Sequence, residues 1–136
     1  MQYKLTKRAN PINRKEEKWY ASPVNNGKIT KTEITKEIVN MSSLSRGDVS
    51  NVIENLLDTI PKYLLMGKSI NLGEFGTLRL SFSSKGVEKP EEFKTNLIGN
   101  AKVIFTPSVE FKKMLKDIKF EKTSANNNKD GKEDKE

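Results

Sequence analysis

Two amphipathic helices are predicted in the middle of the chain, where apolar residues recur every three or four positions. We expect the first helix to begin after Thr30, because Thr30 and Glu33 have the spacing of a capping box, and to end near Met41. The second helix is expected to open at Ser45 and to end at Gly67, a residue suited to a left-handed cap. Its apolar stripe consists of Val49, Val52, Ile53, Leu56, Leu57, Ile60 and Leu64.

Strands are predicted on both sides of these helices, where apolar and polar residues alternate. Near the N-terminus, the alternation around Tyr3 and again around Trp19 indicates two strands joined by a charged loop. After the second helix, the alternation continues on both sides of a turn that contains two glycines. This pattern predicts a hairpin whose apolar face consists of Ile70, Leu72, Leu78, Leu80 and Phe82.

The last part of the chain is expected to hold one more strand and one more helix. Residues 83–100 are polar and contain glycine, so we interpret them as an excursion from the hairpin. A strand over 103–105 should end at Pro107, and a helix should begin near Ser108 with Phe111, Leu115 and Ile118 on one side. Beyond Lys122 the sequence offers nothing to bury and is predicted to be disordered.

Positive charge is concentrated outside the predicted helical middle. The 136 residues carry 25 basic and 18 acidic side chains, a net charge of +7, and residues 1–28 alone hold seven basic and two acidic ones. A basic surface attracts polyanions such as nucleic acid or anionic lipid headgroups, although a merely soluble basic protein would have the same composition. Only 34% of the residues are hydrophobic, and a chain with so modest a core often completes it by oligomerising.

The residue types that are missing argue against an enzyme. The sequence contains neither cysteine nor histidine, which removes thiolate chemistry, the usual general base and the usual zinc ligands. Residues 67–69 imitate the end of a phosphate-binding loop, but the order of strand, loop and helix is reversed there. We find no apolar run of the roughly 18 residues that a membrane span needs, and no apolar stretch of the kind that a signal peptide carries behind the N-terminus.

The order of helix, helix, hairpin, polar excursion, strand and basic helix resembles that of the HU and integration-host-factor family of bacterial DNA-binding proteins. The resemblance covers about residues 30–119 and rests on TKTEI at 30–34, LSRGDV at 44–49, GEFGTL at 73–78 and FTPS at 105–108. The third segment is similar to the family's Gly-x-Phe-Gly-Thr-Phe turn, and the fourth stands where the family has Phe-Lys-Pro-Gly. The N-terminal strands resemble those of a subfamily with such an extension.

The resemblance implies an α+β HU-like fold in an intertwined homodimer, whose helices form a base and whose two β-arms reach around duplex DNA. Phe75 would be buried in the core of that dimer. The resemblance also implies phosphate contacts by Arg79, Lys85, Lys89, Lys94 and Lys102, and it places Pro90 near the family's wedging proline. Lys31, Arg46, Lys112 and Lys113 complete the expected DNA-binding residues. For the lysines of the last helix, a solvated face is an equal alternative.

Several positions depart from the family. The family's Arg-Asn-Pro arm tip is absent, and Pro90 is followed by Glu91 and Glu92, which repel phosphate. Proline followed by two glutamates is typical of the first turn of a short helix. Thr106 and Val109 also replace residues that are often basic in the family. We therefore expect either weaker affinity for DNA or a different contact surface.

We expect a non-enzymatic, nucleoid-associated protein of the cytoplasm that binds and condenses duplex DNA as a homodimer, with little sequence preference and without cofactor, small-molecule substrate or membrane. The predicted organisation is a β extension over 1–28, an HU-like domain over 29–122 and a charged tail over 123–136. The alternative is a structural or protein-interaction module on the same fold, with weak or lost DNA binding. Trp19 and Tyr20 would then anchor an interface, although packing in a core is the commoner role of such a tryptophan.

Overall fold

A computed structural model of the chain describes residues 1–123, which fall into two units. The first unit consists of Met1–Lys28 together with the described residues from Ile118 onward, and the second is Ile29–Asp117. The mixed α+β class predicted from the sequence is confirmed. Glu121 and Lys122 pair with the first strand of the first unit. The predicted HU-like domain over 29–122 stays a prediction. The predicted tail lies outside the described residues, except for Thr123.

The first unit is a three-stranded sheet of β1 (Gln2–Ala9), β2 (Glu17–Pro23) and β6 (Glu121–Lys122). The order of its strands is β2-β1-β6. β1 and β2 form the predicted hairpin, with Thr6 opposite Tyr20 near its centre. β6 lies parallel to β1, and the N-terminal ammonium donates a hydrogen bond to the carbonyl of Lys119 at 2.7 Å.

Both predicted helix starts are confirmed. Helix α1 (Lys31–Met41) has Thr30 as its N-cap, and helix α2 (Arg46–Leu65) has Ser45. In each capping box the hydroxyl accepts a bond from the third backbone N–H, while a carboxylate, Glu33 or Asp48, accepts from the N-cap N–H. These reciprocal bonds satisfy donors that a helix terminus otherwise leaves unpaired.

The second sheet follows α2 and has the order β3-β4-β5. Gly67 ends the helix at a φ of 77°, the left-handed position predicted for it. The strands are β3 (Ile70–Asn71), β4 (Gly76–Ser81) and β5 (Lys102–Pro107). The hairpin is shorter than predicted, because β4 ends at Ser81 and leaves Phe82 exposed in the excursion.

Helix α3 (Val109–Lys116) is held against the glycine turn at its N-terminus. The Ser108 hydroxyl accepts a bond from the Phe111 N–H and donates one to the carbonyl of Glu74, and the Ser108 N–H donates to the carbonyl of Phe75 at 3.1 Å. The rings of Phe75, Phe105 and Phe111 meet beside this junction, with centroids 4.7–6.4 Å apart. The predicted helix is shortened, since it ends before Ile118.

The chain buries very little apolar surface by itself. Among the described residues, the buried apolar side chains are Val49 and Leu64, which are 2% and 5% exposed. In the same stripe of α2, Leu56 and Leu57 are 47% and 48% exposed. Phe75 is 52% exposed in the single chain, so its burial in a dimer core stays a prediction. A helix with one broad apolar face is stable only when that face is covered.

Gly76 lies where the fold leaves no room for a side chain. Its φ is 152°, and a Cβ there would lie 2.4 Å from the carbonyl oxygen of Thr106 and 2.6 Å from the ring of Phe105. We expect Gly76→Ala to lower the free energy of unfolding by about 1–3 kcal/mol, as other overpacked sites do. Gly86→Ala is the matched control, because nothing lies within 4 Å of its Cβ position. Urea denaturation of both variants measures the difference, and equal effects would contradict the close approach.

The capping boxes predict a pH dependence of stability. Hydrogen bonds from Thr30 hold the pKa of Glu33 below its ordinary value of 4.5, and hydrogen bonds from Ser45 hold the pKa of Asp48 below 3.8. A pKa that is lower in the folded state gives stabilisation that is present above the ordinary pKa and is lost as the pH falls through the lowered value. Wild type should therefore be more stable than the variant E33Q/D48N at neutral pH.

That difference in melting temperature should shrink as the pH approaches 3, and thermal denaturation monitored by circular dichroism measures it. Glu37→Gln is the control, because this carboxylate lies on α1 outside the capping contacts. A difference that stays constant between neutral pH and pH 3 would show that the ionised caps contribute nothing.

Candidate nucleic-acid interface

The excursion between β4 and β5 begins as a continuation of their hairpin. The Gly99 N–H donates to the carbonyl of Ser83 at 2.7 Å, and the Lys85 N–H donates to the carbonyl of Leu97 at 2.9 Å. Beyond this short ladder the chain forms two 3₁₀ turns, Pro90–Glu92 and Thr95–Leu97. The long two-stranded arm implied by the resemblance is therefore absent here, because turns close the hairpin soon after Lys85.

Pro90 is the first residue of a 3₁₀ turn. The Phe93 N–H donates to the carbonyl of Pro90 at 3.1 Å, which closes the turn, and the ring of proline fixes a φ suited to such a start. Glu91 and Glu92 follow in the same turn. This is the helix-like start that the two glutamates indicate. The placement does not support Pro90 as a wedge between base pairs, because two carboxylates adjoin it.

Three of the predicted DNA-binding lysines lie on this excursion and are exposed: Lys85, Lys89 and Lys94. Lys89 and Lys94 occupy equivalent positions, each directly before one of the two 3₁₀ turns. Within the described chain, none of the three lies within 4 Å of a carboxylate. Their charges are therefore available to a polyanion, although Glu91 and Glu92 reduce the local potential.

Arg79 and Lys102 lie on the polar face of the second sheet. Arg79 pairs with Ile104 and Lys102 pairs with Ser81, so these four side chains share a face. The opposite face consists of Leu78, Leu80, Val103 and Phe105. Arg79 and Lys102 are diagonal neighbours across the two strands, a relation with Cα atoms roughly 7–8 Å apart. Of the predicted residues, these two are brought together by strand pairing.

Lys31 and Arg46 are the first residues of α1 and α2, but their surroundings differ. The Lys31 ammonium forms an ion pair with Glu54 of α2, so part of its charge is compensated inside the unit. Arg46 lines a cleft of about 440 Å³ together with Lys36, Thr32 and Val39. Sequence reasoning missed Lys36, although its helical spacing from Thr32 and Val39 could have placed it on the same side of α1.

Lys112 and Lys113 are exposed on α3. Lys113 and Lys116 lie in the last turn, where a positive charge stabilises the negative end of the helix dipole. The structure thus gives Lys113 a structural role that does not require a ligand. Both lysines remain candidates for phosphate contacts.

Other kinds of site receive little support from the described residues. Within residues 1–123, no group of three or more His, Cys, Asp or Glu side chains is arranged to hold a metal ion. The helices of this part of the chain are all too short or too polar to cross a membrane. The carboxyl groups with a lowered pKa, Glu33 and Asp48, owe the shift to helix capping and not to a reactive cluster.

The chain is similar to known proteins at two levels. A family model described as an HU domain fused to wHTH, Ig, or glycine-rich motif matches residues 1–122. Among solved structures, the chain is similar to a protein of Bacteroides vulgatus described as a candidate bacterial DNA-binding protein, with a TM-score of 0.58 and 16% sequence identity. That match covers 90% of this chain but 47% of the other, and at this identity it shows the fold alone. No curated protein matches the sequence.

Proposed function

This chain belongs to the family of HU domains fused to wHTH, Ig or glycine-rich motifs, and on that premise we propose that it binds duplex DNA through the phosphate backbone. The match over residues 1–122 is the observation that carries the proposal. The role is that of a non-enzymatic, nucleoid-associated protein in the cytoplasm, with little preference for sequence. Contacts to phosphates fix a protein on the duplex without carrying sequence information.

The placement of the cations supports a backbone contact. Arg79 and Lys102 share the polar face of the second sheet, and the excursion that connects their strands carries Lys85, Lys89 and Lys94. The chain thus presents five cations on one hairpin and its excursion. Each lysine or arginine that neutralises a phosphate releases condensed counterions, and this release drives binding that is independent of sequence.

The compact excursion limits what this surface does to DNA. A long arm follows the minor groove and wedges a side chain between base steps, whereas here the hairpin closes in 3₁₀ turns with two carboxylates beside Pro90. We therefore propose contacts from the sheet face and the excursion, and no intercalation by Pro90. This mode fits a protein that coats and condenses DNA.

We propose that the working form is a homodimer, because a single chain leaves its main apolar surfaces open. Leu56 and Leu57 on α2 and Phe75 beside α3 are each about half exposed, as are further apolar residues of the same unit. Soluble proteins rarely leave large apolar patches uncovered. A second copy would cover the stripe with an identical stripe, as a twofold interface requires.

A protein-interaction module remains the second candidate, and the exposure of Trp19 supports it. Its side chain is 65% exposed, so it is not packed in a core of this chain, contrary to the role we considered commoner. However, Trp19 lies opposite Lys7 and Tyr20 lies opposite Thr6, so the two aromatic residues point to opposite faces of the sheet. The two cannot form one shared anchor, and each face must be considered separately.

The salt dependence of binding tests the DNA-binding proposal. In gel-shift titrations against random duplex, affinity should fall steeply with salt, with a log–log slope of about −0.9 for each phosphate neutralised. The variant K85Q/K89Q/K94Q should bind all sequences more weakly and flatten the slope by up to about 2.7. The comparison variant K112Q/K113Q/K116Q removes the same charge from α3 and should have the smaller effect.

The two lysine variants distinguish the contact surfaces. If only the α3 variant has a flattened slope, the DNA lies on α3 and the excursion is a surface loop that does not contact it. Failure of the wild type to bind random, bent or nicked duplex even at about 50 mM salt, a condition that strongly favours phosphate contacts, would refute the proposal.

Sedimentation equilibrium tests the dimer. At micromolar concentration the wild type should sediment at twice the mass of the 15.4 kDa chain. Leu56→Asp should dissociate the dimer, because it places a charge in the apolar stripe of α2. Asn51→Asp adds the same charge at an exposed position of α2 and keeps the acceptor for the Asn55 amide, so it should remain dimeric. A monomeric wild type with the α-helix content intact would contradict the proposal.

A further inference from the structure

The two faces of the N-terminal sheet differ sharply in chemistry. Side chains that lie directly opposite each other in an antiparallel pair share a face, and the faces alternate along each strand. The observed register therefore assigns one face to Gln2, Lys4, Thr6, Arg8, Lys18, Tyr20 and Ser22, which we call the basic face. The other face, which we call the apolar face, carries Tyr3, Leu5, Lys7, Ala9, Glu17, Trp19, Ala21 and Pro23.

The charges are segregated between these faces. The single carboxylate within β1 and β2 is Glu17, and it forms an ion pair with Lys7 at 2.5 Å on the apolar face. The remaining cations of the two strands, Lys4, Arg8 and Lys18, all lie on the basic face and are exposed. Their charges are therefore not compensated by the strands that carry them.

One carboxylate of the short third strand shares the basic face. Glu121 of β6 lies beside Gln2 in the register. In the part of the chain that the structure describes, it forms no ion pair within 4 Å with the three cations of the face. The basic face therefore keeps an excess of positive charge.

A hydrogen bond orders the arginine along the face. The guanidinium of Arg8 donates to the hydroxyl of Ser22 at 2.9 Å, although Ser22 pairs with Lys4 and not with Arg8. The Arg8 side chain thus extends along the face toward Lys4, which concentrates two cations at one end. A guanidinium has five N–H donors, so most of them remain available to an anion.

The composition of the face fits a phosphodiester backbone. Phosphate and sugar oxygens are contacted mainly by Arg, Lys, Ser, Thr, Asn, Gln and Tyr side chains, and every residue of the basic face on β1 and β2 is of these types. Lys4 and Lys18 lie at opposite ends of the face on neighbouring strands, because Lys18 pairs with Arg8. At a rise of about 3.3 Å per residue and a strand spacing of about 4.8 Å, their Cα atoms are about 14 Å apart. Because a duplex carries one charge per about 1.7 Å of its axis, the two ends meet different phosphates.

A membrane surface fits this sheet less well. A helix that binds at a lipid interface buries a continuous apolar face in the bilayer and keeps its cations on the other face. Here the face with the exposed residues Leu5 and Trp19 also carries the ion pair of Lys7 with Glu17, and Lys7 lies directly opposite Trp19. Insertion of this face would take those two charges out of water, which costs free energy.

We propose that the basic face of the N-terminal sheet is a second contact surface for the phosphate backbone of duplex DNA, separate from the hairpin and excursion of the helical unit. This inference rests on the proposed function, since it assumes that DNA is the ligand. It gives the strongly basic segment 1–28 a role in affinity. The N-terminal strands then add phosphate contacts to those made by the other unit.

The test compares two variants of the full chain that each lose three positive charges. K4Q/R8Q/K18Q removes the cations of the basic face, whereas R14Q/K15Q/K28Q removes the same charge from segments outside β1 and β2. In gel-shift titrations against random duplex, the first variant should bind more weakly and lose up to about 2.7 from its log–log salt slope. The salt slope of the second variant should differ from that of the wild type by no more than about 0.9, the contribution of one phosphate contact.

A charge-preserving variant separates loss of contact from loss of folding. K4R/R8K/K18R should keep the wild-type slope, and circular dichroism should show the same spectrum for all of these proteins. If the wild type binds duplex and K4Q/R8Q/K18Q retains its slope, this inference is overturned while DNA binding stands. If the wild type binds no duplex at all, the proposed function fails and this inference fails with it.

The choice of ligand is tested in the same series. Single-stranded oligonucleotides and vesicles of anionic and neutral phospholipid replace the duplex in parallel titrations. The inference is supported if the affinity of K4Q/R8Q/K18Q, relative to that of the wild type, falls more for the duplex than for the single strand or the vesicles. It is overturned if the loss is confined to the vesicles or to the single strand.

Discussion

The apolar face of α2 constrains the rest of this molecule. A 20-residue helix with one broad apolar stripe needs cover along its length, and the chain buries the stripe fully only at Val49 and Leu64 while it leaves Val52, Leu56 and Leu57 exposed. Helix α1 is half as long, and the β3-β4-β5 sheet is small. Because burial of apolar surface is the main driving force of folding, the proposed second copy completes the fold as well as the assembly.

Because few residues of the chain are apolar, charged side chains make up much of its surface. Four acidic groups act locally, since Glu33 and Asp48 cap helices, Glu17 pairs with Lys7, and Glu54 pairs with Lys31. Several cations outside these pairs, among them Arg8, Arg79 and Lys85, are exposed on the sheet faces and the excursion, where a polyanion can approach them. The local potential depends on how the charges are arranged and not on their total. A protein with a modest net charge can therefore bind the phosphate backbone.

In the sheet of the first unit, side chains alternate between the two faces with a period of two residues, so adjacent residues belong to surfaces of different chemistry. Trp19 and Tyr20 are adjacent in the sequence but lie on opposite faces, so the exposed tryptophan belongs to an apolar face and the tyrosine to a basic one. One face therefore fits a protein or a second chain, and the other fits phosphate. The two candidate functions are thus compatible within one hairpin.

Local interactions are what the sequence by itself determined. The caps at Thr30 and Ser45, the left-handed Gly67 and the alternation of the strands were all predictable, because each depends on residues within a few positions of one another. Only the tertiary structure decided the rest. The pairing of Lys31 with Glu54, the return of residues 121–122 to β1 and the hydrogen bond from Gly99 to Ser83 each join distant segments. Such contacts depend on register and packing, which local spacing does not encode.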